Sequence, residues 1–421
     1  MVDLYNLLSL CMRHSITTQF ALAYFTNEAT DTSERLRIPG LHRFDKLSQL
    51  HQRSRARLLR GNDDVTNAHA SALSLLTEFK RWSVTDARDR IFAFYSLLPP
   101  ENQDREALCP DYSLSDSQVY IKFAYRYIHR NKNLDILSVA THPDEGFRET
   151  TKDPELPSWV PDWRTNDRQD IEVFYKMIRA VNLGTHIIAF DGIYNASLGL
   201  EATPIDLEDS KTLYLNGVDV DRIEKIGELY VSHGDLLESL ESYKTALFVY
   251  LRWRILGEIH PKMIYTFTGQ TAWEAFWRTL LFDYSLVEAE DNQNSSEKSK
   301  RCRIPLDGAK IGPFDSFPPQ ERGPSGCEWL VWLTHENGPI FGRRFFRTTK
   351  GLIGLAPSAA REGDDVVVLF GGKTPFVLRK VEESYEVIGE TYVHGTMDGE
   401  VIYQPRRKEF QDLTTWRFSL I

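Results

Sequence analysis

The stretch VVVLFGGKTPFVLRKV, Val366 to Val381, decides how the second half of the chain is read. Gly372-Lys373-Thr374 are the closing letters of a phosphate-cradling loop. That loop has the pattern G-x-x-x-x-G-K-[ST], because an early glycine and successive backbone N–H groups must wrap the phosphates before a helix starts. Val367 stands where the early glycine belongs, and Pro375-Phe376-Val377-Leu378 has the composition of a strand. Two apolar runs flanking a Gly-Gly turn instead predict a β-hairpin, with glycine supplying positive φ.

Outward from the hairpin, RRFFRTTKGLIGLAP, SYEVIGETYVHG and EVIYQ repeat the pattern of short apolar strands punctuated by glycine. Four or five such strands from about Gly338 onward predict a small antiparallel β-barrel or curled sheet. Further upstream the period changes. VTDARDRIFAFYSLLPP predicts a helix capped by Asp86 and stopped by Pro99-Pro100. In SLSDSQVYIKFAYRYIHR, Ser115 and Gln118 form a capping box ahead of apolar residues at helical spacing. GDLLESLESYKTALFVYLRWRIL and TAWEAFWRTLLFDYSL predict two more helices, the second opened by Thr271 and Glu274. HIIAF, YNASLGL and KTLYLNGVDVDRIEKIG have strand composition.

The expected fold class is therefore α+β: mainly helical N-terminal and middle regions with short β segments, then the C-terminal sheet. Three regions are expected: 1–165, ending in the Pro/Trp connector ELPSWVPDWR; 166–300, with a mobile loop near 289–300; and 301–421, rich in strands. A length of 421 residues suits two or three cores.

A net charge of −10 argues against a nucleic-acid binder, which needs a concentrated basic face. Cys11, Cys109, Cys302 and Cys327 lie far apart without a C-x-x-C pair, which suggests neither a zinc site nor a disulfide framework, and fits a reducing compartment. No run of about 18 apolar residues occurs and MVDLYNLLSLCMRHS lacks a positive n-region, so no membrane partner is expected and the location expected is cytoplasmic.

Complete catalytic motifs are absent: there is no G-x-S-x-G, no H-E-x-x-H and no G-x-G-x-x-G between a strand and a helix. The densest polar cluster is YVHGTMDGE, where a turn that set His394 beside Asp398 would orient an imidazole as a general base. The same residues equally make a turn held by side-chain hydrogen bonds. Arg343 and Arg344, with Lys350, are candidates for a carboxylate or phosphate clamp, or for rim charges on an edge strand. Trp159 and Trp163 offer faces for stacking on a ligand ring, or a buried brace between Pro157 and Pro161. The catalytic candidates are thus His394, Asp398 and Arg343, and the ligand-binding candidates Arg344, Trp159 and Trp163. No metal and no cofactor is expected.

Several phrases resemble the fungal heterokaryon-incompatibility (HET) domain proteins. SVTDARDRIFAFYSLL is similar to the family's ATDPRDKIYALLGL, and PDYSLSDSQVYIKFAYRYI to its PDYSLSVEEVY helix. LDILS, LPSWVPDW, EAFWRTLLFD, GRRFFRTTKGLIGLAP, GDDVVVLFGGKTPFVLR and GETYVHGTMDGE follow in the family's order, from about residue 75 to about 405. Phrases similar to the family's HET head, such as LSYVWG and WIDALCINQ, do not occur, so the chain reads as the region that follows that head. The head carries the TIR-like, death-signalling part of the family, and none of its residues transfers to this sequence. The resemblance implies a binding or regulatory protein of incompatibility or programmed cell death, partnered by another HET-family or death-signalling protein. The alternative is a motif-poor enzyme of fungal secondary metabolism, a cyclase or isomerase acting on a small-molecule metabolite, which needs only a shaped pocket and one or two polarising groups.

Overall fold

The computed structural model describes residues 72–78, 84–95, 108–140, 155–164, 194–204, 211–230, 240–287, 300–303, 340, 342–403 and 413–421. They fall into two units, one made of residues 1–83 and 92–109, the other of residues 84–91 and 110–421. In the first, helix α1 (Ala72–Glu78) buries Ala72, Leu73, Leu75 and Leu76. The second holds everything that bears on the candidate residues.

The helix expected after Asp86 is a single turn, α2 (Asp89–Phe92). Asp86 and Arg88 spend their side chains on each other: the Arg88 backbone N–H donates to Asp86 Oδ1 at 2.9 Å and the guanidinium grips both carboxylate oxygens. Arg88 Nη1 also reaches the carbonyls of Tyr112 and Leu114, so this turn clamps the following loop instead of propagating. Helix α3 (Asp116–Asn131) follows the sequence closely. Both capping-box bonds between Ser115 and Gln118 are present, and Lys132, at φ 52°, closes the helix with its N–H on the Ile128 carbonyl.

The sheet draws its longest strand from well upstream of the hairpin. β1 (Leu213–Leu229) bends at register shifts and serves three neighbours. Its first residues, Leu213 to Val218, pair with β10 (Thr415–Leu420); Gly217 to Arg222 pair with β6 (Asp365–Leu369); Ile223 to Leu229 pair with β4 (Arg343–Thr348). With β5 (Ile353–Pro357), β7 (Phe376–Val381), β8 (Ser384–Glu390) and β9 (Tyr392–Val393), the order is β10-β8-β7-β6-β1-β4-β5-β9. Because β10 also pairs with β1, the ladder β1-β6-β7-β8-β10 returns on itself. The expectation of a purely antiparallel arrangement is corrected at one place: β10 meets β8 in parallel, through Leu420 and Tyr385. A separate ribbon pairs β2 (Tyr284–Val287) with β3 (Lys300–Arg303).

The Val366–Val381 stretch is the β6–β7 hairpin. Gly371 takes φ 90° at its turn, where a Cβ would lie 2.6 Å from that of Ala202. Helices α4 (Leu240–Leu256) and α5 (Ala272–Leu280) cover the β4–β5 side, with Trp253, Phe276, Phe345 and Phe346 all fully buried there. Trp253 stacks on Phe345 at 6.0 Å and its indole N–H donates to the Glu228 carbonyl at 3.2 Å. Gly227 is what lets the indole sit so close to β1, since a Cβ there would lie 2.6 Å from it.

Other expectations are corrected. The described residues do not make the N-terminal region mainly helical: beyond α1, α2 and α3 they form turns and irregular chain, and residues 1–71 lie outside the description. YNASLGL and the Val401–Tyr403 part of EVIYQ are turns, because Ser197–Leu200 and Gly399–Tyr403 close local backbone bonds in place of ladder bonds. HIIAF and most of the loop near 289–300 lie outside the described residues. At α5, Thr271 caps as expected, but the Glu274 carboxylate turns forward to Arg278. No helix among the described residues is long and apolar enough to cross a membrane.

Candidate functional site

The YVHGTMDGE segment leaves β9 as a tight turn, with Gly395 and Gly399 at positive φ. His394 is pulled inward, because its N–H donates to the Ile353 carbonyl at 3.0 Å and its own carbonyl accepts from Tyr265 Oη at 3.0 Å. The imidazole ends up 3% exposed. Its Nδ1 lies 3.0 Å from Tyr392 Oη and its Nε2 2.9 Å from Gln270 Oε1, which also accepts from Thr268 Oγ1. An amide oxygen only accepts, so Nε2 carries the proton and Nδ1 accepts from Tyr392. Both nitrogens are committed. The arrangement is a polar clasp that ties the loop of residues 265–270 to β5 and β9. Asp398, by contrast, is exposed, and its backbone N–H donates to Glu400 Oε2 at 2.7 Å.

Arg343, Arg344 and Lys350 do not converge into a clamp. Arg343 turns into the protein, where Nη1 donates to the Glu390 carbonyl at 2.7 Å and Nη2 meets Glu390 Oε1 at 3.2 Å. Arg344 donates to the carbonyls of Ser358 and Gly227. Lys350 caps the end of the β4–β5 hairpin, its Nζ on the Val220 carbonyl and its N–H on Asp221 Oδ2. Each cation satisfies backbone oxygens or a buried carboxylate, as a strongly bent sheet requires of side chains at its bends.

Glu390 is the functional-looking residue that sequence reasoning missed. It is fully enclosed, and burial pushes its carboxyl up to about 7, an effect that Arg343 and Ser138 oppose without cancelling. Oε2 has no hydrogen-bond partner. Nothing in VIGE marks this glutamate as buried, since its partner lies 47 residues away.

The two tryptophans are structural braces. Trp159 and Trp163 are each 1% exposed; the first donates its indole N–H to the Lys211 carbonyl and the second meets Phe123 edge-on at 6.5 Å. Between them and the sheet, the Ser158 hydroxyl accepts from Val387 N–H at 2.9 Å and donates to the Ile421 carbonyl, fastening the connector to β8 and β10. The Lys373 of the hairpin reaches Asp135 at 2.8 Å while the Gly371 carbonyl accepts from Leu134 N–H, so the Gly-Lys-Thr turn anchors the chain after α3. Among the described residues no three His, Cys, Asp or Glu side chains are grouped to hold a metal ion.

Residues 332–413, which include β4 to β9 and the Tyr392–His394 side of the clasp, match the Het-6 beta-barrel domain. Heterokaryon incompatibility protein 6, OR allele, of Neurospora crassa is 24% identical over 358 residues, an alignment covering 78% of this chain and 50% of that protein. The chain therefore spans about half the length of this curated relative. No solved structure matches it. The chain thus resembles the heterokaryon-incompatibility proteins, through a matched Het-6 beta-barrel domain at residues 332–413 and through similarity to one such protein over most of its length.

Proposed function

We propose that the chain acts as a binding or regulatory protein in fungal incompatibility and in the cell death that incompatibility triggers. The observation that carries this reading is the similarity to heterokaryon incompatibility protein 6 over 78% of the chain, which runs through helices and sheet alike and is not confined to the matched domain. The disposition of the candidate polar residues supports it. His394, Arg343 and Lys373 each satisfy groups of the chain itself, so the polar chemistry stabilises a scaffold. What a scaffold of this kind offers is surface, and its partner is another protein of the incompatibility response.

The test is to express the chain in Neurospora crassa strains that are compatible with one another and score heterokaryon growth and vital-dye uptake at fusion points. The expected result is death or arrested growth in at least one strain pairing, with a defined fungal protein co-purifying from the responding cells. Normal growth in every pairing, together with turnover of a metabolite by the purified chain, would overturn the proposal and move the function to catalysis.

A further inference from the structure

Helix α4 has the sequence LESYKTALFVYLRWRIL, and its described side chains are apolar on opposite faces. The inner face is accounted for: Val249 and Trp253 are buried, and Tyr250 lies 5.6 and 5.4 Å from the rings of Phe276 and Trp277. Among the described residues nothing covers the outer face. Phe248 is 64% exposed, Leu251 38% and Ile255 76%. These residues recur at i, i+3 and i+7, which places them in one stripe along the helix. Single exposed apolar side chains are ordinary on protein surfaces, but three large ones aligned on one helix form the kind of continuous patch that marks an interaction site.

Among the described side chains of the helix, Arg252 is the charge that flanks this stripe. Arg252 sits one turn after Phe248 and just before Ile255, with its side chain 72% exposed and Nη1 3.4 Å from Glu228. An exposed ion pair of that length contributes little, so the guanidinium exchanges partners at small cost. A cation set among apolar residues favours a partner that brings a carboxylate there over one that brings another cation.

We propose that the outer face of α4 is the docking surface for an amphipathic helix of a partner protein, which lays its apolar stripe along Phe248, Leu251 and Ile255 and places a carboxylate on Arg252. This is the helix-on-helix mode of recognition, in which anchors spaced three and four residues apart supply affinity and a flanking charge fixes register. The proposal rests on the binding reading above and names the surface and the chemistry of what it takes.

The experiment uses the full chain and two fluorescein-labelled model helices, both with leucine at the first and fourth heptad positions, one flanked by glutamate and the other by lysine. Binding is followed by fluorescence anisotropy, and far-UV circular dichroism verifies that each variant is folded. The glutamate helix should bind and the lysine helix should bind more weakly. Phe248→Ser and Ile255→Ser should each weaken the glutamate helix by about tenfold or more, as central anchors do. Arg252→Glu should invert the preference between the two helices, an outcome that loss of structure would not produce.

Failure of the folded wild-type chain to bind the glutamate helix, or equal binding by wild type and both serine variants, overturns the proposal. Concentration-dependent dimerisation in sedimentation that Ile255→Ser abolishes would assign the face to a second copy and overturn the heterologous partner. If Ile255→Cys in the folded chain resists maleimide, the face is covered from within and the proposal also fails. None of these readouts depends on the hyphal assay, so the surface and the incompatibility role stand or fall separately.

Discussion

Replacing Trp253 by alanine should undock α4 from the sheet, and the local geometry sets how much that costs. The indole is fully buried, stacks on Phe345 and donates to the Glu228 carbonyl. Truncating a buried tryptophan to alanine costs roughly 3–5 kcal/mol. Trp253→Phe keeps most of the ring but leaves the carbonyl unpaired, and should cost about 1–2 kcal/mol. The more discriminating perturbation lies across the contact. Gly227→Ala places a Cβ 2.6 Å from the indole and should cost about 1–3 kcal/mol by overpacking. In the Trp253→Ala background the ring is gone, and the same alanine should cost only a few tenths of a kcal/mol, roughly the error of additivity for unconnected sites. Urea denaturation of the four proteins, followed by far-UV circular dichroism, completes the double-mutant cycle. Additive effects would refute the claim that the absence of a side chain at 227 seats the indole. A Trp253→Ala cost below about 1 kcal/mol would refute the docking itself, given the range expected for buried tryptophan.

Three further outcomes are expected. Glu390 binds its proton more tightly folded than unfolded, so its contribution to stability is fully present below pH about 4.5 and is lost as pH rises through about 7. That is about 3 kcal/mol across the window, which Glu390→Gln should remove; an unchanged slope in urea titrations between pH 5 and 8 would contradict it. At Gly354 an alanine Cβ would lie 2.3 Å from the Tyr392 carbonyl oxygen, so Gly354→Ala should break the β5–β9 pairing and cost about 3 kcal/mol or more, with amide exchange accelerating first at residues 392–394. Lys373→Met should cost about 1–3 kcal/mol by leaving the buried Asp135 carboxylate without its cation, and calorimetry should detect no magnesium–ATP binding by wild type. A nucleotide that binds wild type and not the variant would reverse the reading of the hairpin.

What the sequence revealed and what it concealed divide along range. The β6–β7 hairpin, the α3 capping box and the strands around Phe345 and Leu355 were legible because their signals, a Gly-Gly turn, Ser115 with Gln118, and alternating apolar runs, act within a few residues. The strand character of Leu213–Leu229 was legible too, but not its three partners, since register across more than a hundred residues leaves no local mark. The same limit governs the candidate residues. His394 stands out in the sequence by its neighbours Asp398 and Glu400, yet its ring is held by Tyr392 and by Gln270, the latter 124 residues away. Arg343 reads in the sequence as a clamp residue or an edge-strand rim charge, while its partner in the structure is the buried Glu390, 47 residues on. The stretch YNASLGL misled by composition: Leu198 and Gly199 both take positive φ, and the segment closes into a turn in place of a strand.

The pairing of β1 with β10 sets a schedule for folding. Leu213 and Leu420 are partners separated by about two hundred residues of chain. At synthesis rates of roughly 5–20 residues per second, β1 waits some 10–40 seconds for the strand that completes its first half. Such contacts raise the contact order and slow closure, and until it happens the Leu213–Val218 edge of β1 stays open to other strands. A chain terminated between residues 390 and 415 would therefore carry β1, β6, β7 and β8 without the strand that closes their ring.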